Sequence, residues 1–200
     1  MKKTIVSLVI AVFIGSMMLM ACGGGDKGPA EVAIKAAEEA VNATKTEAAK
    51  LVPDQVKSLE TALTAVKDKF AKGEYKAAVE EAKTLAGKAK DVLAAAKAKK
   101  EELTKKWTDI SQSLPKMMES LQSRVDILSK SKKLPANLTA EKFSEVKSIL
   151  ASTKDEWAKA QESFKAGNFA DSVSVATSLK EKAAKAMETL GMTVPAASKS

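Results

Sequence analysis

Few side chains in this chain could perform chemistry, because its 200 residues contain no histidine and a single cysteine, Cys22. Histidine is the commonest general base near neutral pH and the commonest metal ligand. Nucleophile systems that pair serine or cysteine with histidine are therefore excluded, and a zinc or copper site would rest almost entirely on carboxylates. We predict no catalytic residues, no metal site and no bound cofactor, and we do not expect an enzyme.

Adjacent carboxylates are the remaining acid–base candidates, as in Glu38-Glu39 and Glu80-Glu81. Neighbouring residues on a helix point in different directions, whereas side chains three or four apart share a face. These pairs are therefore poor candidates for acid–base catalysis, which needs two groups converging on one substrate.

A basic stretch with a tryptophan beside it is the main candidate binding site, and it comprises Lys97, Lys99, Lys100, Lys105, Lys106 and Trp107. Such a stretch could contact a protein partner, an anionic lipid or another polyanion. Alternatively it is a solvated helix face in which Glu101 and Glu102 pair with the lysines. Trp107 and a second tryptophan, Trp157, could line a groove or pack in the core, because both lie on apolar seams.

Nucleic acid is not an expected partner, although the chain has a formal net charge of +8 and a pI near 9.4. The charge is dispersed, no DNA-binding motif is present, and Arg124 is the only arginine. Recognition of phosphates and base edges depends strongly on the planar guanidinium group.

Apolar residues recur at steps of three and four along most of the chain, which predicts an all-α fold. The clearest seam is formed by Val56, Leu59, Leu63, Val66 and Phe70. We predict an N-terminal helical unit over residues 29–114, a C-terminal helical unit over 115–191 and a loose tail over 192–200. Thr139 is the expected N-cap of a helix in the second unit, and Gly191 is the expected C-cap of the last helix.

One long helix is predicted to join the two units. Its pattern begins near Glu74 and has no helix breaker before Pro115, so it would reach about 60 Å at roughly 1.5 Å per residue. That exceeds the depth of a compact domain, so its middle, at residues 98–102, should be exposed. Pro115 is expected to kink or end this helix.

Two glycine corners indicate an internal duplication of antiparallel helical hairpins. Residues 70–75 (FAKGEY) match residues 164–169 (FKAGNF) at a spacing of 94, whereas Val56 best matches Val146 at a spacing of 90. The slip of one helical turn predicts that the later helix is one turn longer. Packing alone could also make the two hairpins alike. The corners resemble those of tetratricopeptide-type hairpins, although the flanking helices are too long for a true array.

The N-terminus resembles the signal segment of a bacterial lipoprotein. Lys2 and Lys3 precede an apolar stretch too short for a membrane span, and Leu19-Met20-Ala21-Cys22 matches a lipobox. The resemblance implies a cleaved signal over residues 1–21, a lipid on Cys22 as the only covalent group, and a flexible tether over 22–28. It further implies an outer-membrane location facing the periplasm. An ordinary secretory signal with a chance cysteine is the alternative.

Residues 30–97 also resemble an uncharacterised family of alanine-rich helical lipoproteins from Gram-negative bacteria. The resemblance rests on the first helix, rich in alanine and glutamate, on Leu51-Val52-Pro53 and on the Gly73-Glu74-Tyr75 corner. It implies location and fold but no catalytic residues.

Two functional hypotheses follow from these features. The first is a non-catalytic, membrane-anchored module that binds a protein partner through a groove between hairpins, with an exposed apolar strip near Trp107 or Trp157. The second is a carrier or chaperone for an apolar or lipid ligand, which requires an enclosed cavity. The oligomeric state is left open.

Overall fold

Five α-helices make up the part of the chain that the structure, a computed structural model, describes, which is residues 26–195. They are α1 (Lys27–Ala48), α2 (Pro53–Ala71), α3 (Tyr75–Lys130), α4 (Ala140–Lys165) and α5 (Phe169–Thr189), and no strand occurs in this range. The predicted all-α fold is confirmed. Helix α1 already begins at Lys27, so the last residues of the predicted tether are helical. The predictions for the signal segment, Cys22 and residues 23–25 lie outside the described residues.

Helix α3 is the axis of the molecule. It has 56 residues, which corresponds to a length of about 84 Å, and it runs through Pro115 without ending. The expectation that Pro115 could end the helix is therefore wrong. Proline removes one backbone hydrogen bond, here to the carbonyl of Ser111. Leu114 and Met117 are both buried beside Pro115, and their packing offsets this local loss.

Two hydrophobic cores lie one after the other along α3. Helices α1 and α2 pack on its first part, where Ala96 is the last core residue, and α4 and α5 pack on its later part, where Ile110 is the first. Ile110 and Leu114 thus belong to the C-terminal core, although the predicted unit boundary places them in the N-terminal one. The predicted exposure of the middle of the helix is confirmed, since only Lys99 among residues 98–102 is half-buried.

Small side chains bring α1 close to α3. Ala30, Ala33 and Ala37 are buried on the contact face, as the alanine pattern indicates. Thr44 is also buried, and its hydroxyl donates to the carbonyl of Ala40 at 2.8 Å and lies 3.3 Å from the carbonyl of Ala89 on α3. This close approach leaves little room between the helices of the N-terminal unit.

The two glycine corners have the same geometry. Gly73 and Gly167 have φ angles of 82° and 85°, a region that L side chains avoid. Each glycine N–H donates to the carbonyl three residues earlier, and the next N–H donates to the carbonyl five residues earlier. The flanking aromatic rings pack edge-to-face across each corner.

The buried positions of the two hairpins keep one spacing throughout. Each buried residue of α2 and of the first part of α3 has a buried counterpart 94 residues later: Val56 and Leu150, Leu59 and Thr153, Leu63 and Trp157, Val66 and Ala160, Ala78 and Ser172, Ala82 and Ala176, Leu85 and Leu179, Ala89 and Ala183. The constant spacing means that the predicted slip of one helical turn between the two hairpins is not needed. Helix α4 has 26 residues and α2 has 19. The additional length is therefore seven residues at the start of α4, whereas the predicted difference is one turn. The duplication itself stays a hypothesis.

Helices of the C-terminal unit are capped at the start of α4 and at the end of α5. Thr139 accepts a hydrogen bond from the Lys142 N–H at 3.3 Å, and Gly191 has a φ of 66°, as predicted for an N-cap and a C-cap. Met192 and Val194 pack against the C-terminal core, so the chain is not a loose tail from residue 192. Residues 196–200 lie outside the described part.

Replacing Gly73 by alanine should destabilise the fold by about 1–2 kcal/mol, because alanine is strained at this positive φ although its Cβ would meet no atom. Gly87, which lies within α3 and also has open space for a Cβ, is the matched control. Its replacement by alanine should stabilise the fold by about 0.5–1 kcal/mol. Urea unfolding of both variants measures the difference, and equal stabilities would contradict the role of the corner.

Candidate functional site

The predicted basic stretch lies on the segment of α3 between the two cores. Lys97, Lys100, Lys105 and Lys106 are exposed and Lys99 is half-exposed. An open groove runs along this face between Lys97 and Thr108. The structure therefore brings Lys97, Lys100 and Lys105 together along this groove, whereas Lys99 and Lys106 lie on another face of α3.

Glu102 pairs with the two lysines that lie outside the groove. Its carboxylate accepts hydrogen bonds from Lys106 at 2.6 Å and from Lys99 at 3.0 Å. The hydrogen bonds from Lys106 and Lys99, together with their charges, lower the pKa of Glu102 to about 2. Lys97 and Lys105 form no ion pair within residues 26–195. The alternative of a solvated, ion-paired face thus fits two of the five lysines.

The two tryptophans form an aromatic stack in the C-terminal unit. Trp107 is half-exposed and stacks against Trp157, with ring centroids 5.0 Å apart, and against Phe164 at 4.3 Å. Trp157 is 6% exposed and belongs to the core, so it cannot contact a partner at the surface. Core packing is therefore the alternative that holds for Trp157, while Trp107 packs against the same core and stays half-exposed.

The corner between α4 and α5 connects this stack to the N-terminal unit. Phe164 packs edge-to-face on Phe169, and the Lys100 ammonium lies 5.1 Å from the Phe169 ring centroid, within cation–π range. Beyond it, Lys50 after α1 donates to the side-chain oxygen of Asn168 at 2.9 Å. The connection between α1 and α2 therefore meets the corner between α4 and α5 beside the basic stretch.

A second groove, between α3 and α4, is absent from the sequence-based prediction. Pro115, Met118 and Ile127 supply its apolar surface, and its charged and polar lining includes Glu119, Gln122, Asp126, Lys130 and Lys154. Lys154 on α4 donates to the Gln122 oxygen at 2.7 Å, and the Gln122 amide donates to Asp126 at 2.8 Å, so a hydrogen-bonded chain crosses it. Ile127 is 56% exposed. The only sequence signal for this groove is the position of Ile127 directly before the seam residue Leu128, which places an isoleucine on the polar side of the helix.

The carboxylate pairs bind lysines instead of facing each other. Glu38 pairs with Lys67 at 2.7 Å, and Glu81 pairs with Lys69. The hydrogen bond and the charge of Glu81 raise the pKa of Lys69 against the opposing effect of desolvation. Within residues 26–195 no group of three or more acidic side chains is placed to hold a metal ion.

No protein-family model, curated protein or solved structure significantly matches the chain. None of the helices between residues 26 and 195 combines the length and apolarity needed to span a bilayer.

The Glu102 carboxylate should titrate near pH 2 in the folded protein, because two ammonium groups stabilise its charged form. A lowered folded pKa means that its contribution to stability is complete above its ordinary pKa of 4.5 and is lost as the pH falls towards 2. The ¹³C shift of the Glu102 carboxyl carbon, followed against pH, measures this. In 1 M salt the pKa should rise, since exposed charges are screened. A midpoint near 4.5 at low salt would contradict the lysine pairing.

Proposed function

We propose that the chain is a lipid-anchored envelope protein whose helices carry a non-catalytic binding module for a protein partner. The observation that carries the proposal is the open groove between α3 and α4, with Ile127 exposed beside it. The proposed binding residues differ from the predicted ones, since Trp157 is buried and the groove lies further along α3.

The lining of the groove suits a protein surface. Protein interfaces combine an apolar centre with a polar, solvent-accessible rim. Here Pro115, Met118 and Ile127 would form the centre, and Lys130 and Lys154 would contribute to the rim. A carrier for an apolar or lipid ligand would need an enclosed cavity. The two grooves described above are both open to solvent, which favours the protein partner.

The position of the groove suits a module held away from its anchor. Asp26, directly before α1, lies 3.9 Å from Lys76 in the first turn of α3, so the described part of the chain begins beside the start of α3. Residues 115–130 are roughly 60–80 Å further along α3 at 1.5 Å per residue. A lipid on Cys22 would therefore allow the groove to lie at up to this distance from the membrane surface that holds the anchor.

Photo-crosslinking in cells tests the binding surface, with a photoreactive amino acid at Gln122. One dominant protein product is expected. Ile127→Asp should reduce its yield at least about tenfold, because a central apolar contact contributes about 2 kcal/mol or more. Val32→Asp is the control, since Val32 is 51% exposed on α1 and far from the groove. Equal yields for both variants, or crosslinks to lipid alone, would contradict the proposal.

Metabolic labelling with radioactive palmitate tests the anchor. The wild-type chain should carry the label and stay with the membrane fraction, whereas Cys22→Ser should lose both properties, since Cys22 is the only cysteine. A labelled Cys22→Ser chain, or an unlabelled wild-type chain, would exclude lipidation at this residue.

A further inference from the structure

Within residues 26–195, the corner between α2 and α3 leaves an aromatic pair uncovered by any other ring or cation. Phe70 and Tyr75 pack edge-to-face with ring centroids 5.2 Å apart, and both side chains are half-exposed. The equivalent pair at the other corner, Phe164 and Phe169, is also half-exposed, but Trp107 stacks on Phe164 and Lys100 lies over Phe169. Within residues 26–195 no other aromatic ring packs on Phe70 or Tyr75. Two corners of the same geometry thus differ in what lies on them.

The sequence of α1 accounts for this difference. Six buried residues of α1 match buried residues of the later part of α3 at a constant spacing of 84: Ala30 and Leu114, Ala33 and Met117, Ile34 and Met118, Ala37 and Leu121, Val41 and Val125, Thr44 and Leu128. Helix α1 thus corresponds to the later part of α3, but it contains no aromatic residue that could stack on Phe70 as Trp107 stacks on Phe164.

The uncovered corner lies at the end of the molecule from which the chain leads back to Cys22. Lys76 follows Tyr75 directly and lies 3.9 Å from Asp26. Four residue steps separate Asp26 from Cys22, and such a segment spans at most about 14 Å. A lipid on Cys22 would therefore hold this corner at the bilayer surface.

The chemistry of the corner fits the headgroup region of a bilayer. Tyrosine combines an apolar ring with a polar hydroxyl and is enriched at membrane–water interfaces. Lys72 and Lys76 are exposed on either side of Tyr75, and lysine can bury its stem while its ammonium stays among polar headgroups. Phe70 adds apolar surface next to Tyr75.

We propose that this corner, formed by Phe70, Lys72, Tyr75 and Lys76, docks on the headgroup region of the bilayer that holds the lipid anchor. The inference rests on the proposed anchoring at Cys22. It adds a second, non-covalent contact that sets the orientation: α3 stands end-on, with the groove at Ile127 pointing away from the membrane.

Cysteine and tyrosine each occur once in the chain, which allows site-specific anchoring and a site-specific NMR probe. Cys22 is the only cysteine, so the chain from Cys22 onwards can be coupled to a maleimide phospholipid in lipid nanodiscs, whether or not cells lipidate it. Tyr75 is the only tyrosine, so 3-fluorotyrosine gives one ¹⁹F resonance at the proposed contact. Nanodiscs with a nitroxide on the lipid headgroups should broaden this resonance strongly.

The matched control moves the reporter to the other corner with the two changes Tyr75→Phe and Phe169→Tyr. Its broadening should be at least about tenfold smaller, because Phe169 packs near Lys100, roughly 38 Å further along α3. Lys72→Glu with Lys76→Glu should also reduce the broadening at Tyr75.

Equal broadening at both corners would mean that the rod lies flat, and no broadening at Tyr75 would mean that the corner stays in water. Either result overturns the docking. Failure of cellular lipidation would appear only in the palmitate experiment.

Discussion

A single continuous helix serves two hydrophobic cores, and the rest of the structure depends on this constraint. The buried seam of α3 has Ala96 as its last residue in the first core, Leu103 between the cores and Ile110 as its first residue in the second. Between Ala96 and Leu103 the helix is held by its own backbone and by the contacts of Lys50 with Asn168 and of Lys100 with Phe169. The relative position of the two units therefore follows from the stiffness and register of α3.

The two units use this shared helix differently. Alanines on α1 allow close packing in the first unit, while the matching positions in the second unit carry larger residues, for example Leu114, Met117 and Leu121. Larger side chains at one helix contact hold the neighbouring helices further apart, and the groove beside Ile127 lies in this unit. The close packing of α1 on α3 in the first unit and the groove beside Ile127 in the second thus go with different side chains at positions of matching register.

Features set by local chemistry were predictable from the sequence, and features set by the distance between helices were not. The positive φ angles of Gly73 and Gly167 and the caps at Thr139 and Gly191 depend on one residue and its neighbours. The passage of α3 through Pro115 depends on burial of Leu114 and Met117, which outweighs the local preference of proline. The lysines between the cores were visible as a run, but the burial of Trp157 and the groove at Ile127 require the spacing of α3 and α4, which no local pattern contains.

The most direct test of the account is the distance across the junction. Spin labels at the exposed residues Lys90 and Ser123, in a chain with Cys22→Ser, lie on α3 on either side of the junction and of Pro115. A continuous helix predicts one narrow distance distribution centred at about 50 Å, at 1.5 Å per residue, measured by double electron–electron resonance. A broad distribution, or one centred well below this distance, would show that α3 bends or breaks between the units and would contradict the shared-helix account.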